Sequence, residues 1–186
     1  MIKVFERVKN WNAARYEQEH NTLLTCTLLA EELNEYWTAK TEVDQLDALC
    51  DLVYVALGAI WKADVEVDEL QHAQEVAVNV VSRHLDLEVF PPAYYIASYI
   101  LGLRNDYLNV AESMNFVITS CLTQMSYMGL SQEQQERALL VVCDSNDSKS
   151  VKKTASNVKA NDGDKGPYFK DPEPRLQEIL DARVKH

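Results

Sequence analysis

The sequence lacks the residue patterns of a zinc site or a disulfide framework. Its four cysteines and four histidines lie far apart, with no CxxC motif and no cysteine–histidine pair at zinc spacing. The cysteines fall in apolar stretches, so we interpret them as buried free thiols in a reducing cytosol. No histidine stands beside a serine or cysteine in a nucleophile motif, which argues against nucleophilic catalysis.

Long apolar runs and positive charge are also scarce. No apolar run reaches the roughly 18–20 residues of a membrane span, and the first twenty residues are too polar for a signal peptide. There are 18 Lys and Arg against 29 Asp and Glu, and the net charge of −11 disfavours nonspecific binding to nucleic acid. We therefore expect a cytoplasmic protein that binds neither nucleic acid nor a membrane.

Glycine and proline are few, at five each, and no segment alternates convincingly with period two, so no strand is required. Helical periodicity dominates, which predicts an all-α fold built as an antiparallel helical bundle. Asn21 or Thr22 and Thr41 are expected N-caps, and Gly129 is an expected helix stop. The predicted helices cover residues 4–16, 21–40, 41–63, 66–85, 91–105, 106–129 and 131–146, with a short closing helix over 174–185.

The composition changes near Ser145, where the chain becomes polar, lysine-rich and interrupted by glycine and proline. This change predicts a helical-bundle domain over residues 1–145 and an extended C-terminal arm over 146–186 that ends in the short helix. A faint internal echo also predicts a degenerate duplication of a helical hairpin, over about 20–85 and 90–146.

Two carboxylates interrupt the most apolar segment, DALCDLVYVALGAIW. Asp47 and Asp51 are four residues apart, so they lie on one face of a helix, and Asp44 extends the same stripe. Burying an unpaired carboxylate costs several kcal/mol or forces it to take up a proton. We therefore expect a cation beside them.

The preceding helix has a matching feature. Its apolar stripe of Leu24 and Leu28 continues into Glu32 and Glu35, with Glu31 beside them. A short connection favours an antiparallel pair, which would bring this acidic end to the Asp47–Asp51 end. Carboxylates without histidine or cysteine favour Mg²⁺, with Mn²⁺ as the alternative ion. The sequence has no EF-hand loop for calcium, and zinc or a di-iron centre would require histidine. The competing interpretation of EELNE is a solvated acidic face.

These residues resemble a known family. EELNE followed by DQLDALCDLVYVALG resembles the all-α NTP pyrophosphohydrolase superfamily, which contains the MazG-like enzymes, the dimeric dUTPases and the phosphoribosyl-ATP pyrophosphohydrolases. CDSNDSK and DGDKGPYFKDP resemble a second, downstream pair of elements of the last branch. The resemblance covers about residues 20–62 and 125–172.

The resemblance implies Mg²⁺-dependent cleavage of an NTP or dNTP between the α- and β-phosphates, to a monophosphate and pyrophosphate. Either Glu32 or Glu35 would accept the proton of the attacking water. Asn146 and Lys149 would contact the nucleotide or its phosphates, and Lys165 would close over the triphosphate. The metal ligands would come from six carboxylates, Glu31, Glu32, Glu35, Asp44, Asp47 and Asp51.

The sequence departs from the family in two ways. The family places a Glu three residues before the final Asp, but Ala48 occupies that position, so Asp47 or Asp44 must take its role. About sixty residues separate the two matching blocks, more than the compact family members need, and this segment fits a degenerate second half such as that of the dimeric dUTPases.

Several alternatives remain open at the level of sequence. The alternatives are a phosphoribosyl-ATP pyrophosphohydrolase of histidine synthesis, a housecleaning or dUTP-specific enzyme, and a non-catalytic helical interaction protein with a vestigial metal site. In the last case the aromatic segment 91–110 would serve a partner surface. We expect association into a homodimer or homotetramer.

Overall fold

The computed structural model describes residues 1–84, 92–149 and 165–183. Within these ranges the chain forms eight α-helices and no strand, so the predicted all-α fold is confirmed. Residues 150–164, which belong to the predicted arm, lie outside the described part. The helices are α1 Ile2–Ala13, α2 Thr22–Thr38, α3 Glu42–Lys62, α4 Val67–His84, α5 Ala93–Arg104, α6 Val110–Tyr127, α7 Gln132–Ser148 and α8 Glu173–Asp181.

The starts of α2 and α3 follow the predicted caps. The side chain of Asn21 accepts a hydrogen bond from the Leu24 N–H at 2.9 Å, so Asn21 caps α2. Thr41 caps α3 through a reciprocal pair in which its Oγ1 accepts from the Asp44 N–H and the Asp44 carboxylate accepts from the Thr41 N–H, both at 3.2 Å. Two otherwise unpaired donors of the first turn are satisfied in this way.

Helix α6 begins later than predicted, at Val110 instead of Asp106. Asn109 and Glu112 form a reciprocal capping pair at 2.8 and 3.0 Å, which fixes the start. Asp106 has a positive φ of 57° in the turn after α5. The predicted stop at the other end is confirmed, because Gly129 has a φ of 85°, a conformation that glycine adopts without strain.

Helix α3 lies at the centre of the fold and packs against α1, α2, α6, α7 and α8. Its Leu46, Leu49 and Leu52 are completely buried. Each such side chain stabilises the fold by about 1.5–3 kcal/mol through the loss of apolar surface to water. The hairpin of α2 and α3 packs on that of α5 and α6, α2 against α5 and α3 against α6. The proposed duplication of a hairpin stays a prediction.

Helices α4 and α8 complete the packing around the helices described so far. Helix α4 packs on α6, where Ala77 and Val81 contact Phe116. Helix α8 inserts Leu176, Ile179 and Leu180 into the main core between α3 and α7. In the described part of the chain, no helix combines the length and the apolar character that crossing a bilayer requires.

Candidate metal and nucleotide site

The acidic end of α2 turns one of its three glutamates inward. Glu32 is only 7% exposed, whereas Glu31 and Glu35 are exposed. Glu32 follows Leu29 by three residues, and both lie on the face that packs against α3. A buried carboxylate at this place is a costly feature unless positive charge compensates it.

Asp47 is the aspartate of α3 that shares its surroundings with these glutamates. Burial, followed by the charges of Glu173 and Glu32, raises the pKa of Asp47 to about 6, and Glu35 acts in the same direction. Lys149 acts in the opposite direction. The structure therefore brings together residues of α2, α3, α7 and α8 around one carboxyl group.

The other two predicted aspartates have different surroundings. Asp44 uses one carboxylate oxygen to cap α3, as described above. Asp51 lies one turn after Asp47 and is half-buried. Burial raises the pKa of the adjacent Cys50 thiol well above its usual value, and the charges of Asp47 and Asp51 raise it further. The four cysteines are free and buried, as predicted.

Glu173, at the start of α8, is a site residue that the sequence analysis missed. Arg183 at the far end of α8 holds Glu42 at the start of α3, with nitrogen–oxygen distances of 3.0 and 2.6 Å. Arg175 near the beginning of α8 bonds Asp144 of α7 at 2.6 Å. The two anchors direct the first turn of α8 along α3 towards Asp47. The available signal was the spacing of the apolar residues of α8, because Glu173 precedes the buried Leu176 by three residues.

The end of α7 carries two of the predicted substrate contacts to this site. Asn146 is buried, and the Lys149 ammonium donates a hydrogen bond to its Oδ1 at 2.7 Å. Since the charge of Lys149 acts on Asp47, the two sequence blocks that resemble the family meet in space. The segment before α8 also contacts the end of α7, because the Lys170 N–H donates to Ser148 Oγ at 2.9 Å.

Lys165, the third predicted substrate contact, is exposed and its ammonium lies 5.0 Å from the centre of the Phe169 ring. Its contact is therefore with its own tail segment. Residues 162–164 of the same sequence match lie outside the described residues. The predicted role of Lys165 over the triphosphate stays a prediction.

Helix α1 supplies a second group of residues that the sequence analysis missed. Arg7, Trp11 and Arg15 are spaced four residues apart and all donate hydrogen bonds to α7 or to the residue that follows it. The spacing itself was the available signal, since residues at i, i+4 and i+8 form one stripe on a helix. The spacing did not predict which helix this stripe contacts.

The donor set suits a hard divalent cation. On α3, Asp47 Oδ1 and the Tyr54 hydroxyl are buried and, among the described residues, have no hydrogen-bond partner. The carboxylate oxygens around Asp47 are the ligands that Mg²⁺ and Mn²⁺ prefer. In the ranges described above, no group of three or more Asp, Glu, His or Cys side chains stands in the arrangement of a metal site. Binding would therefore require rotation of carboxylate side chains towards the cation.

Part of the chain matches a known protein family. Residues 1–77, which span α1 to α3 and the first part of α4, match the family model PRA-PH, phosphoribosyl-ATP pyrophosphohydrolase. Neither a curated protein nor a solved structure matches the chain. Over these residues the chain therefore resembles the all-α NTP pyrophosphohydrolase superfamily, as its acidic motifs predict.

Proposed function

We propose that the chain is a Mg²⁺-dependent nucleoside triphosphate pyrophosphohydrolase. It cleaves an NTP or dNTP between the α- and β-phosphates and releases a monophosphate and pyrophosphate. The match over residues 1–77 supports a hydrolase that acts on phosphoric anhydrides. The identity of the nucleotide and of the cation is part of the proposal.

The observation that carries the proposal is the buried Asp47 Oδ1, which has no hydrogen-bond partner among the described residues and lies in a carboxylate cluster. The charges of Glu173 and Glu32 disfavour the ionised form of Asp47, and a divalent cation would offset this repulsion. The pyrophosphohydrolase family model matches the same α2–α3 hairpin, and carboxylate oxygens are the ligands that a divalent cation prefers.

The residues divide into two roles around the scissile anhydride. When bound, Mg²⁺ would be held by carboxylates drawn from Glu31, Glu32, Glu35, Asp44, Asp47 and Asp51, and would supply charge neutralisation for the polyphosphate and polarisation of the attacking water. Glu32 or Glu35 would accept a proton of that water at a carboxylate oxygen.

The end of α7 would contribute positive charge beside the acidic hairpin. Lys149 would keep its hydrogen bond to the Asn146 Oδ1 and donate another to a phosphate oxygen, and the Asn146 amide nitrogen would contact the nucleotide. A single ammonium donates up to three hydrogen bonds, so it can hold Asn146 and a phosphate together. The acidity of the protein is then no obstacle, because the phosphates meet cations at the site.

Phosphoribosyl-ATP is the second candidate substrate, and the description of the matching family model favours it. It shares the anhydride chemistry and requires no change in the roles above. The two candidates differ only in the groups that contact the base and sugar.

A nucleotide panel tests the proposal. The four NTPs, the four dNTPs and phosphoribosyl-ATP are incubated with the protein in Mg²⁺, and pyrophosphate release is measured. We expect turnover of at least one nucleotide, lost by at least about 100-fold in Asp51→Asn because a metal contact disappears. Asp68→Asn, an exposed aspartate of α4, is the matched control and should retain activity. Full activity of Asp51→Asn would contradict the proposal, and absence of turnover with all nine nucleotides would favour the interaction protein.

A further inference from the structure

One stripe of α1 is devoted to the C-terminal end of α7. Arg7 bonds Asp144 at 2.7 Å and also pairs with Asp147. Trp11 and Arg15 follow at intervals of one turn and reach the residues beyond. Arg7 and Asp144 are 137 residues apart in the sequence, Trp11 and its partner 135, and Arg15 and its partner 134. These contacts between distant parts of the chain hold the end of α7 against α1.

Trp11 and Arg15 bond backbone carbonyls in the last turn of α7 and just after it, where the Asn146 carbonyl also accepts from the Lys149 N–H at 3.2 Å. The Trp11 indole N–H donates to the Asn146 carbonyl at 2.9 Å, and the Arg15 guanidinium donates to the Lys149 carbonyl at 3.2 Å. The last four carbonyls of a helix have no partner within it, so its final turn frays unless other groups bond them. These two donors fix the turn that presents Asn146 and Lys149.

The two donors are themselves rigidly held. The Trp11 ring meets the Tyr54 ring of α3 edge to face, with centroids 5.8 Å apart. The Arg15 guanidinium carbon lies 4.2 Å from the centre of the Trp11 ring, and Arg15 is only 9% exposed. A buried, stacked guanidinium loses little freedom on bonding. These contacts fix the end of α7 relative to α3, the helix that carries Asp47 and Asp51.

We propose that Trp11 and Arg15 are positioning residues that hold the Asn146–Lys149 turn so that the Lys149 ammonium faces the carboxylate site. This inference rests on the proposed function, in which Lys149 contacts the phosphates. Neither residue touches the carboxylates through a contact described above. Trp11 acts through a backbone carbonyl of α7, and Arg15 acts through the carbonyl of Lys149, which follows α7.

Trp11→Phe removes the indole N–H and retains a ring against Tyr54. We expect the KM for the nucleotide turned over fastest in the panel to rise about fivefold, the equivalent of one hydrogen bond, with kcat little changed. Arg15→Lys keeps a positive charge but lacks the planar fork, so the same direction is expected. Trp37→Phe, at an exposed tryptophan of α2, is the matched control and should leave KM unchanged.

A double-mutant cycle separates positioning from a general structural role. If Trp11 acts through Lys149, Trp11→Phe should add no further increase in KM once Lys149→Met is present. Calorimetry with inorganic tripolyphosphate in Mg²⁺, which offers the phosphates alone, should show the same pattern, while Mg²⁺ alone binds Trp11→Phe as it binds the wild type. Equal KM effects of Trp11→Phe in both backgrounds would overturn the inference.

The outcome is distinguishable from failure of the proposed function. If the wild type cleaves no nucleotide, the function fails, and amide hydrogen exchange of residues 143–149 decides the positioning role. Loss of protection there in Trp11→Phe and Arg15→Lys, but not in Trp37→Phe, supports it. Unchanged protection in both variants overturns it.

Discussion

Asp47 and Asp144 are both aspartates that face the first turn of α8, and their surroundings are opposite in charge. Burial raises the pKa of Asp144, but hydrogen bonds from Arg175 and Arg7 lower it below its usual value overall. Burial and the charges of Glu173 and Glu32 raise the pKa of Asp47 to about 6. Helix α8 therefore delivers a cation to one aspartate and an anion to the other.

We interpret Asp144 as a structural carboxylate and propose that Asp47 is a functional one. Asp144 has the partners that a partly buried charge requires, so it joins α1, α7 and α8 without external help. Asp47 lacks such partners for Oδ1 among the described residues. A perturbed carboxylate in a cluster of like charges is typical of a functional site. Substitutions at the two aspartates should therefore have opposite consequences.

The largest effect is expected from Asp47→Asn, which should reduce pyrophosphate release by at least about 100-fold through loss of a cation contact. The same change should stabilise the metal-free protein, because asparagine imitates the protonated carboxyl. The pKa of Asp47 in the folded chain, about 6, exceeds its usual value of 3.8. The carboxylate therefore destabilises the fold increasingly as pH rises from about 4 to about 6 and fully above that range.

Urea unfolding in EDTA at several pH values measures this effect. The free energy of unfolding of the variant should exceed that of the wild type by up to about 3 kcal/mol at pH 7.5. This value follows from about 1.4 kcal/mol for each unit by which the pKa of Asp47 is raised. The difference should disappear below about pH 4. A variant that is less stable than the wild type at pH 7.5 would show that Asp47 is a structural carboxylate like Asp144.

The next largest effect is expected from Asp144→Asn, which removes the charge that Arg7 and Arg175 share. We expect a loss of about 1–3 kcal/mol in the free energy of unfolding, because two charge-assisted hydrogen bonds weaken at a partly exposed site. Thermal unfolding should show a Tm lower by about 2–4 °C for each kcal/mol. Mg²⁺ binding should persist, and its loss with an unchanged Tm would contradict the division between the two aspartates.

The smallest effect is expected from Glu173→Gln, which removes the first of the charges that raise the pKa of Asp47. The pKa of Asp47, followed by NMR of its side-chain carbonyl carbon, should fall towards its usual value. Glu178→Gln, at an exposed glutamate on the same helix, is the matched control. An unchanged pKa in Glu173→Gln would place the charge of Glu173 outside the site.

The sequence was sufficient for the features that depend on near neighbours in the chain. The caps at Asn21 and Thr41, the stop at Gly129 and the acidic α2–α3 hairpin all follow from local patterns. The late start of α6 is an exception, because Asn109 and Glu112 form a capping pair that competes with a continuous helix from Asp106. A cap of this kind was visible in the sequence.

The missed parts of the site depend on contacts between distant segments. Trp11 bonds a backbone carbonyl 135 residues away, and a carbonyl leaves no trace in the sequence of side chains. Glu173 lies in a polar stretch, and only the packing of Leu176 against the core turns it towards Asp47. Periodicity predicts which face of a helix is buried, but not which helix covers it.

Calorimetric titration of Mg²⁺ into the metal-free wild type and into Asp47→Asn at pH 7.5 tests the central claim most directly. We expect binding by the wild type, and in titrations below about pH 6 the binding of Mg²⁺ should also release a proton from the carboxylate cluster. We expect loss of Mg²⁺ binding in Asp47→Asn, although this variant is the more stable protein without metal. Equal binding of Mg²⁺ by both proteins, or by neither, would contradict the claim.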